Sequence, residues 1–446
     1  MLLGISVPIA LQNLISFGVN LTDTVMLGSL GEVSISAVQQ ANQPFFIFTL
    51  LTVGLAGGAT VLTSQYWGKG DVGAINKVFA IALKTAFVVS LAVTAAVLLF
   101  PAGVMRIFTN DAQVVEKGVG YLRIVAFSYF FYGITNTYLT TLRSVENVRI
   151  SLGVYGTSFV INVACNAVFI FGLLGMPALG VRGAAIGTLV ARICEFGMVL
   201  VYMLRFEKKL RFRLRLLRRL DRPLLRDYLQ HSTPVVLNEL FWGTGMSVHA
   251  MILGRLGAQV IAASTIANVV QQLTTVYIFG ISHAAAVIVG KAIGAGREAY
   301  ANRCAVTLEL LSIGVGAVSL AALLLLRGFA VSFYNVDAAT KLLAGQMMVV
   351  LAFTVFFQSS SLPCIIGSLR GGGDTRFGMA LDLSFMWLFS IPLGLLCAFV
   401  WKLPVLVVYM ALRCEEVCKF IICLFRLFSF KWVRNVTRGV ADPQTE

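Results

Sequence analysis

Asp23 is the one ionisable group in an apolar stretch of bilayer-spanning length, Pro8 to Gly31, PIALQNLISFGVNLTDTVMLGSLG. It lies about 18 residues into the first predicted span, 5–30, roughly 27 Å along a helix axis. That depth puts it in the outer half of a membrane. An ionised carboxylate there costs on the order of 3 kcal/mol or more, so it should face a cavity and bind a proton or a cation. The alternative is a structural Asp hydrogen-bonded to neighbouring helices. Asn162 and Asn166 are four apart and share one helical face. With Asp23 they could form an oxygen-rich cage, to which Thr188 adds a hydroxyl. Oxygen donors at Asp23, Asn162 and Asn166 suit Na⁺, and they equally suit a hydrogen-bonded protonated carboxyl. Asn136 is a further polar candidate in an apolar span.

The second half of the chain offers Glu239, within LNELFWG, together with His249 and Asp382. Glu415 and Glu416 stand beside Arg413 and Lys419, a pattern that predicts internal ion pairs. Phe241, Trp242, Tyr277 and Trp387 could line a lipophilic substrate cavity, since aromatic faces attract organic cations. There is no HExxH, GxSxG or Walker sequence, and three histidines leave little for general-base work, so no enzyme activity is expected.

These residues sit in a repeated framework. Shifting the sequence by 226 positions brings Pro8 onto Pro234, Gly31 onto Gly257, Asn42 onto Asn268 and Gly68 onto Gly294, without a gap from about residue 7 to residue 70. His249 then falls on Asp23. Leu142-Arg143 is echoed by Leu369-Arg370, and Arg192 with Glu195 by Arg413 with Glu416. Two copies of one membrane unit, each opening with a helix that hides a polar group, describe a transporter.

Composition sets the solvent. Hydrophobic residues make up 58% of the chain and charged residues 12%, and the mean hydropathy is +0.86. Soluble domains carry roughly 25% charged residues, so this chain is an integral membrane protein. Its apolar runs of bilayer length predict spanning helices rather than barrel strands. The expected spans are 5–30, 36–66, 78–104, 115–143, 149–174, 180–204, 229–255, 258–290, 302–327, 341–369, 375–400 and 402–428. The predicted fold is therefore all-α, with twelve transmembrane helices in two six-helix lobes related by a parallel internal repeat. The lobes would be 1–204 and 229–428, separated by a basic cytoplasmic linker at 205–228 and followed by a cytoplasmic tail at 429–446.

The net charge is +15, and ten Lys/Arg lie between Arg205 and Arg226. About 23 Lys/Arg fall in or beside the even-numbered connections and the tail, against about seven in the odd-numbered ones. This bias predicts a multi-pass protein of the plasma membrane with both termini cytoplasmic. The basic linker suits anionic lipid headgroups, and no nucleic-acid partner is expected. The eight cysteines form no CxxC pair and read as small apolar filler. No cleavable signal peptide is expected, and the abrupt entry into the first helix leaves room for a short cytoplasmic lead before it.

LTDTVMLGSLG at 21–31, the Asn162/Asn166 pair, LRSVEN at 142–147, LRGGGDT at 369–375 and the repeat resemble the multidrug and toxic compound extrusion (MATE) family. The resemblance covers nearly the whole chain. It implies a V-shaped pair of six-helix lobes that exports lipophilic, often cationic, drug-like compounds in exchange for Na⁺ or H⁺. No cofactor beyond that coupling ion is expected, and a monomer is. The family's first-helix Asp matches Asp23, and its fifth-helix polar pair matches Asn162 and Asn166. Many bacterial members carry Asp where this chain has Asn166, which leaves a one-carboxylate site. The seventh-helix acid of some members corresponds approximately to Glu239.

Two other readings remain at this stage. A lipid or lipid-linked oligosaccharide flippase of the same wider superfamily would line its cavity with cationic residues. Here the membrane-embedded bases are Lys84, Arg123, Arg192, Arg413 and Lys419, none of them in the first or second span. A non-transporting receptor or scaffold is the other, and no large soluble sensory domain accompanies the spans.

Overall fold

The computed structural model describes residues 2–334 and 336–438. Residues 439–446 of the expected tail lie outside the described residues. The chain is helical throughout, with no strand among the described residues. In chain order the helices are α1 (Leu2–Gly28), α2 (Glu32–Ala41), α3 (Gln43–Lys69), α4 (Val72–Leu99), α5 (Pro101–Phe108), α6 (Ala112–Ser144), α7 (Arg149–Phe171) and α8 (Val181–Val201). They continue as α9 (Arg222–Gly254), α10 (Ala258–Gly294), α11 (Glu298–Ser332), α12 (Ala338–Leu362), α13 (Thr375–Ser384), α14 (Ile391–Leu395), α15 (Val405–Arg413) and α16 (Glu415–Phe428).

Nine helical segments among the described residues are long and apolar enough to cross a membrane. The other three expected spans fall on α6 and α9, which are long but more polar, and on α15 and α16, of only 9 and 14 residues. Large apolar side chains such as Leu91, Val160, Val318, Leu325 and Leu388 are exposed. A hydrocarbon solvent accounts for that surface, which water would not tolerate at this extent.

The helix breaks have local causes. Pro44 lacks the N–H that would continue the ladder, so α2 and α3 part at Asn42, whereas α10, with Val270 at the corresponding place, runs unbroken. Pro101 opens α5 and ends the expected 78–104 span early. Pro363 begins a π-helical segment, Pro363–Leu369, and a second, Phe385–Ser390, leads into Pro392. A further one, Leu396–Val400, follows. Wider turns of this kind absorb a missing donor without ending the helix. The basic stretch at 205–228 holds a short 3₁₀ turn, Leu214–Arg218, and α9 starts within it at Arg222.

The turns repeat in geometry as well as in sequence. Gly31 and Gly257 adopt φ of +91° and +118°, each cap helices with the same pattern of bonds, and separate α1 from α2 and α9 from α10. The amide of Asp71 closes onto the Tyr66 carbonyl and that of Arg297 onto Ala292. Asn147 onto Leu142 and Asp374 onto Leu369 make the same closure. Each has a left-handed residue just before the donor: Gly70, Gly296, Glu146 and Gly373.

Packing divides the chain into two compact units. The N-terminal unit is Pro8–Ala59 with Val72–Val236. The C-terminal unit is Met1–Val7, Thr60–Asp71 and Leu237–Glu446. The N-terminal unit has a core of Leu27, Val38, Met105, Leu122 and Ala185, with Phe45, Phe48, Tyr129 and Tyr132 packed ring on ring. Glycines let its helices touch: a Cβ at Gly58 would strike Ser232, and one at Gly54 would strike Val236.

In the C-terminal unit one core joins α10, α12 and α15, and another gathers α10, α11 and Trp432. The described part of the tail is docked here. Trp432 is fully buried, and its indole donates to the Leu427 carbonyl at 3.0 Å. Gln65 donates to the carbonyls of Gly371 and Arg434, both at 3.0 Å, and accepts from the Val436 amide at 2.8 Å. Arg426 and Arg434 both reach the Asp374 carboxylate.

Candidate ion-coupling site

Three helices of the N-terminal unit carry the candidate cage. α1 carries Asp23, α7 carries Asn162 and Asn166 one turn apart, and α8 carries Thr188. The Asn166 amide donates to Asp23 Oδ1 at 2.5 Å and to Asn162 Oδ1 at 3.2 Å. Both asparagines are buried. Asn166 fits because α8 has Gly187 opposite, where a Cβ would run into its amide oxygen. That oxygen, Asn166 Oδ1, is itself buried without a hydrogen-bond partner. A buried acceptor beside a carboxylate is the donor chemistry that Na⁺ or a protonated carboxyl requires, so the residues present fit either.

Sequence reasoning missed the rest of this constellation. Tyr121 on α6 donates to Asn42 at 3.3 Å and also meets the Thr188 hydroxyl. Arg192, one turn beyond Thr188 on α8, is close enough for its charge to act on Asp23. Its guanidinium is held by Glu195 at 2.8 and 2.9 Å and lies over the Tyr132 ring at 4.9 Å. Asn42 stood out only as a marker of the repeat, and Arg192 only as that and as a membrane-embedded base. Tyr121 gave no signal, since a lone tyrosine in a span is unremarkable. Asn136, on α6, is buried and its Nδ2 has no partner among the described residues.

The C-terminal unit answers with different chemistry. His249, at the repeat position of Asp23, meets Ser390 Oγ at 3.2 Å, and Ser390 donates to the Leu412 carbonyl at 2.9 Å. Because the serine has one proton and spends it on Leu412, His249 Nε2 must be the donor. Glu239 is engaged by Arg370 at 2.8 Å. Asp382 is engaged by Lys419 at 2.5 Å, as sequence spacing alone could not say. Of the aromatic candidates, Phe241 and Trp387 meet edge to face at 6.1 Å, with the indole donating to the Phe241 carbonyl at 3.2 Å. Tyr277 stands apart from that pair, packed on the core and bonded to Ser319. Trp242 is half-buried on α9.

The sequence matches the MatE family over residues 8–168 and 234–396. It is 29% identical over 412 residues to a probable multidrug resistance protein NorM of Idiomarina loihiensis, with 89% of this chain and 86% of that protein aligned. A probable NorM of Rhizobium meliloti is 26% identical over 408 residues, covering 90% and 86%. Among solved structures, a MATE protein in complex with MaD3S is similar with a TM-score of 0.87 at 18% identity, covering 96% of each chain. The outward-facing form of a multidrug resistance MATE transporter gives 0.86, again at 18% identity and 96% of each chain. The structural likeness shows the shared fold, and the sequence match over both halves shows the lineage. This chain belongs to the MatE family of membrane transporters.

Proposed function

We propose that this protein is a secondary-active antiporter that exports lipophilic, cationic organic compounds in exchange for Na⁺ or H⁺ by alternating access. The multidrug names of its relatives support the substrate class. The observation that carries the ion role is the Asp23 carboxylate hydrogen-bonded by Asn166, whose own oxygen is buried and unpartnered. A charged acceptor makes the Asn166 bond strong. Neutralising Asp23, by a proton or by Na⁺, weakens that bond and changes how α1 and α7 are held. Ion binding thereby favours one conformation and substrate binding the other, a difference in affinity that coupling requires. Tyr121, Thr188 and Arg192 position the cage from α6 and α8. The protein acts as a monomer in the cytoplasmic membrane, with both termini on the cytoplasmic side.

The test is ethidium efflux from proteoliposomes under an imposed Na⁺ gradient and, separately, a pH gradient. One gradient should drive export, and Asp23→Asn should abolish that drive without lowering Tm. Export with unchanged ion dependence in the variant would overturn the assignment of Asp23.

A further inference from the structure

A second buried group of charges lies in the C-terminal unit, and the proposed coupling does not use it. Lys419 on α16 is almost fully buried, and three carboxylates surround it. Its ammonium lies 2.5 Å from Asp382 on α13, 3.5 Å from Glu415 and 4.0 Å from Glu416. The three acids are unequally served. Asp382 takes the short contact. Glu416 accepts a hydrogen bond from Ser361 on α12 at 2.7 Å. Glu415 has only the long approach of one oxygen, and its other oxygen, Oε2, is buried with no partner.

The surrounding charge does not remedy this. Arg413, at the end of α15, acts on Glu415 but is directed to Asn268 at 3.4 Å and lies over Tyr409. His249 of α9 faces Arg413 and Lys419, and Cys414 adjoins Glu415. Glu309 of α11 is engaged by Ser360. Even with both cations counted, the three acids exceed Lys419 and Arg413 by one negative charge. A buried charged oxygen without a partner costs far more than a neutral carboxyl in the same place. We propose that Glu415 holds a proton, making the Asp382–Glu415–Glu416–Lys419 cluster a proton-binding site separate from Asp23. A proton suits it better than a metal ion, because the ammonium already occupies the centre. Among the described residues, no three His, Cys, Asp or Glu side chains are arranged to hold a metal.

The inference does not depend on the role of Asp23, and the test removes that residue. Infrared spectra of the full-length Asp23→Asn protein in liposomes, recorded across pH, report carboxylic-acid C=O absorption. Adding Glu415→Gln should remove one carboxyl's worth of that band at neutral pH. An unchanged band would mean that Glu415 is ionised and would overturn the proposal. Asp382→Asn gives an independent check, since it frees Lys419 to pair with Glu415. The band should then titrate away about one pH unit lower, a tenfold loss of proton affinity; an unaltered titration would equally overturn it.

Discussion

Asn166 donates to the Asp23 carboxylate, and its own oxygen is buried beside Gly187 without a hydrogen-bond partner. Hydrogen bonds to charged groups contribute about 1.5–3 kcal/mol, so Asn166→Ala should shift the ion half-saturation of transport by about tenfold or more. The direction identifies the ion. Losing a donor that favours the charged carboxylate tightens proton binding, so a proton-driven protein would saturate at higher pH. Losing an oxygen ligand weakens Na⁺ binding, so a Na⁺-driven one would need more Na⁺. Efflux assays at graded pH and Na⁺ separate the two. Elsewhere, Glu239→Gln should cost about 3 kcal/mol, read as a lowered Tm, because it strands the buried Arg370 guanidinium. Pairing it with Arg370→Met should restore part of the loss. Asp23, Asn162 and Asn166 were legible because polar residues stand out in apolar runs and a four-residue spacing fixes a shared face. Their meeting with Tyr121, and the pairing of Glu239 with Arg370, depend on which helices become neighbours. No local pattern encodes that.

Elements were legible in proportion to how local their causes are. The helix lengths follow from hydropathy, and the paired glycine turns follow from φ values that only glycine adopts at little cost. Gly31 and Gly257 combine positive φ with ψ near the extended range, at 166° and 164°. Alanine at either should cost on the order of 1–3 kcal/mol. Thermal melts of Gly31→Ala and Gly257→Ala would check this, and both should fall because both turns have one geometry. Glu146 is the informative exception, since it takes the left-handed position that Gly373 fills in the other copy. Glu146→Gly should therefore hold or raise stability. The π-helical segments and the break of α2 from α3 lay beyond periodicity. Pro44 and Pro363 announce a missing donor, but whether a helix ends, kinks or widens there is settled by its packing.

At the scale of the molecule, hydropathy was enough to recognise a membrane protein. The two compact units divide inside α1, α3 and α9, where hydropathy shows no break. Nor did composition foretell that the basic tail would bury a tryptophan. Trp432→Ala should cost about 3–5 kcal/mol, and removing everything after Phe428 should lower Tm further. Detergent melts of both variants would measure it.

That docking also constrains the order in which the protein can be completed during synthesis. Gln65 emerges early from the ribosome, yet its partner Gly371 lies 306 residues later and Val436 lies 371 residues later. This end of α3 therefore waits for its partners until Gly371 and Val436 have been translated. Contacts of such long separation form slowly, and chains interrupted before them are exposed to misassembly. A premature stop before Val436 would thus harm the protein at a helix made 371 residues earlier.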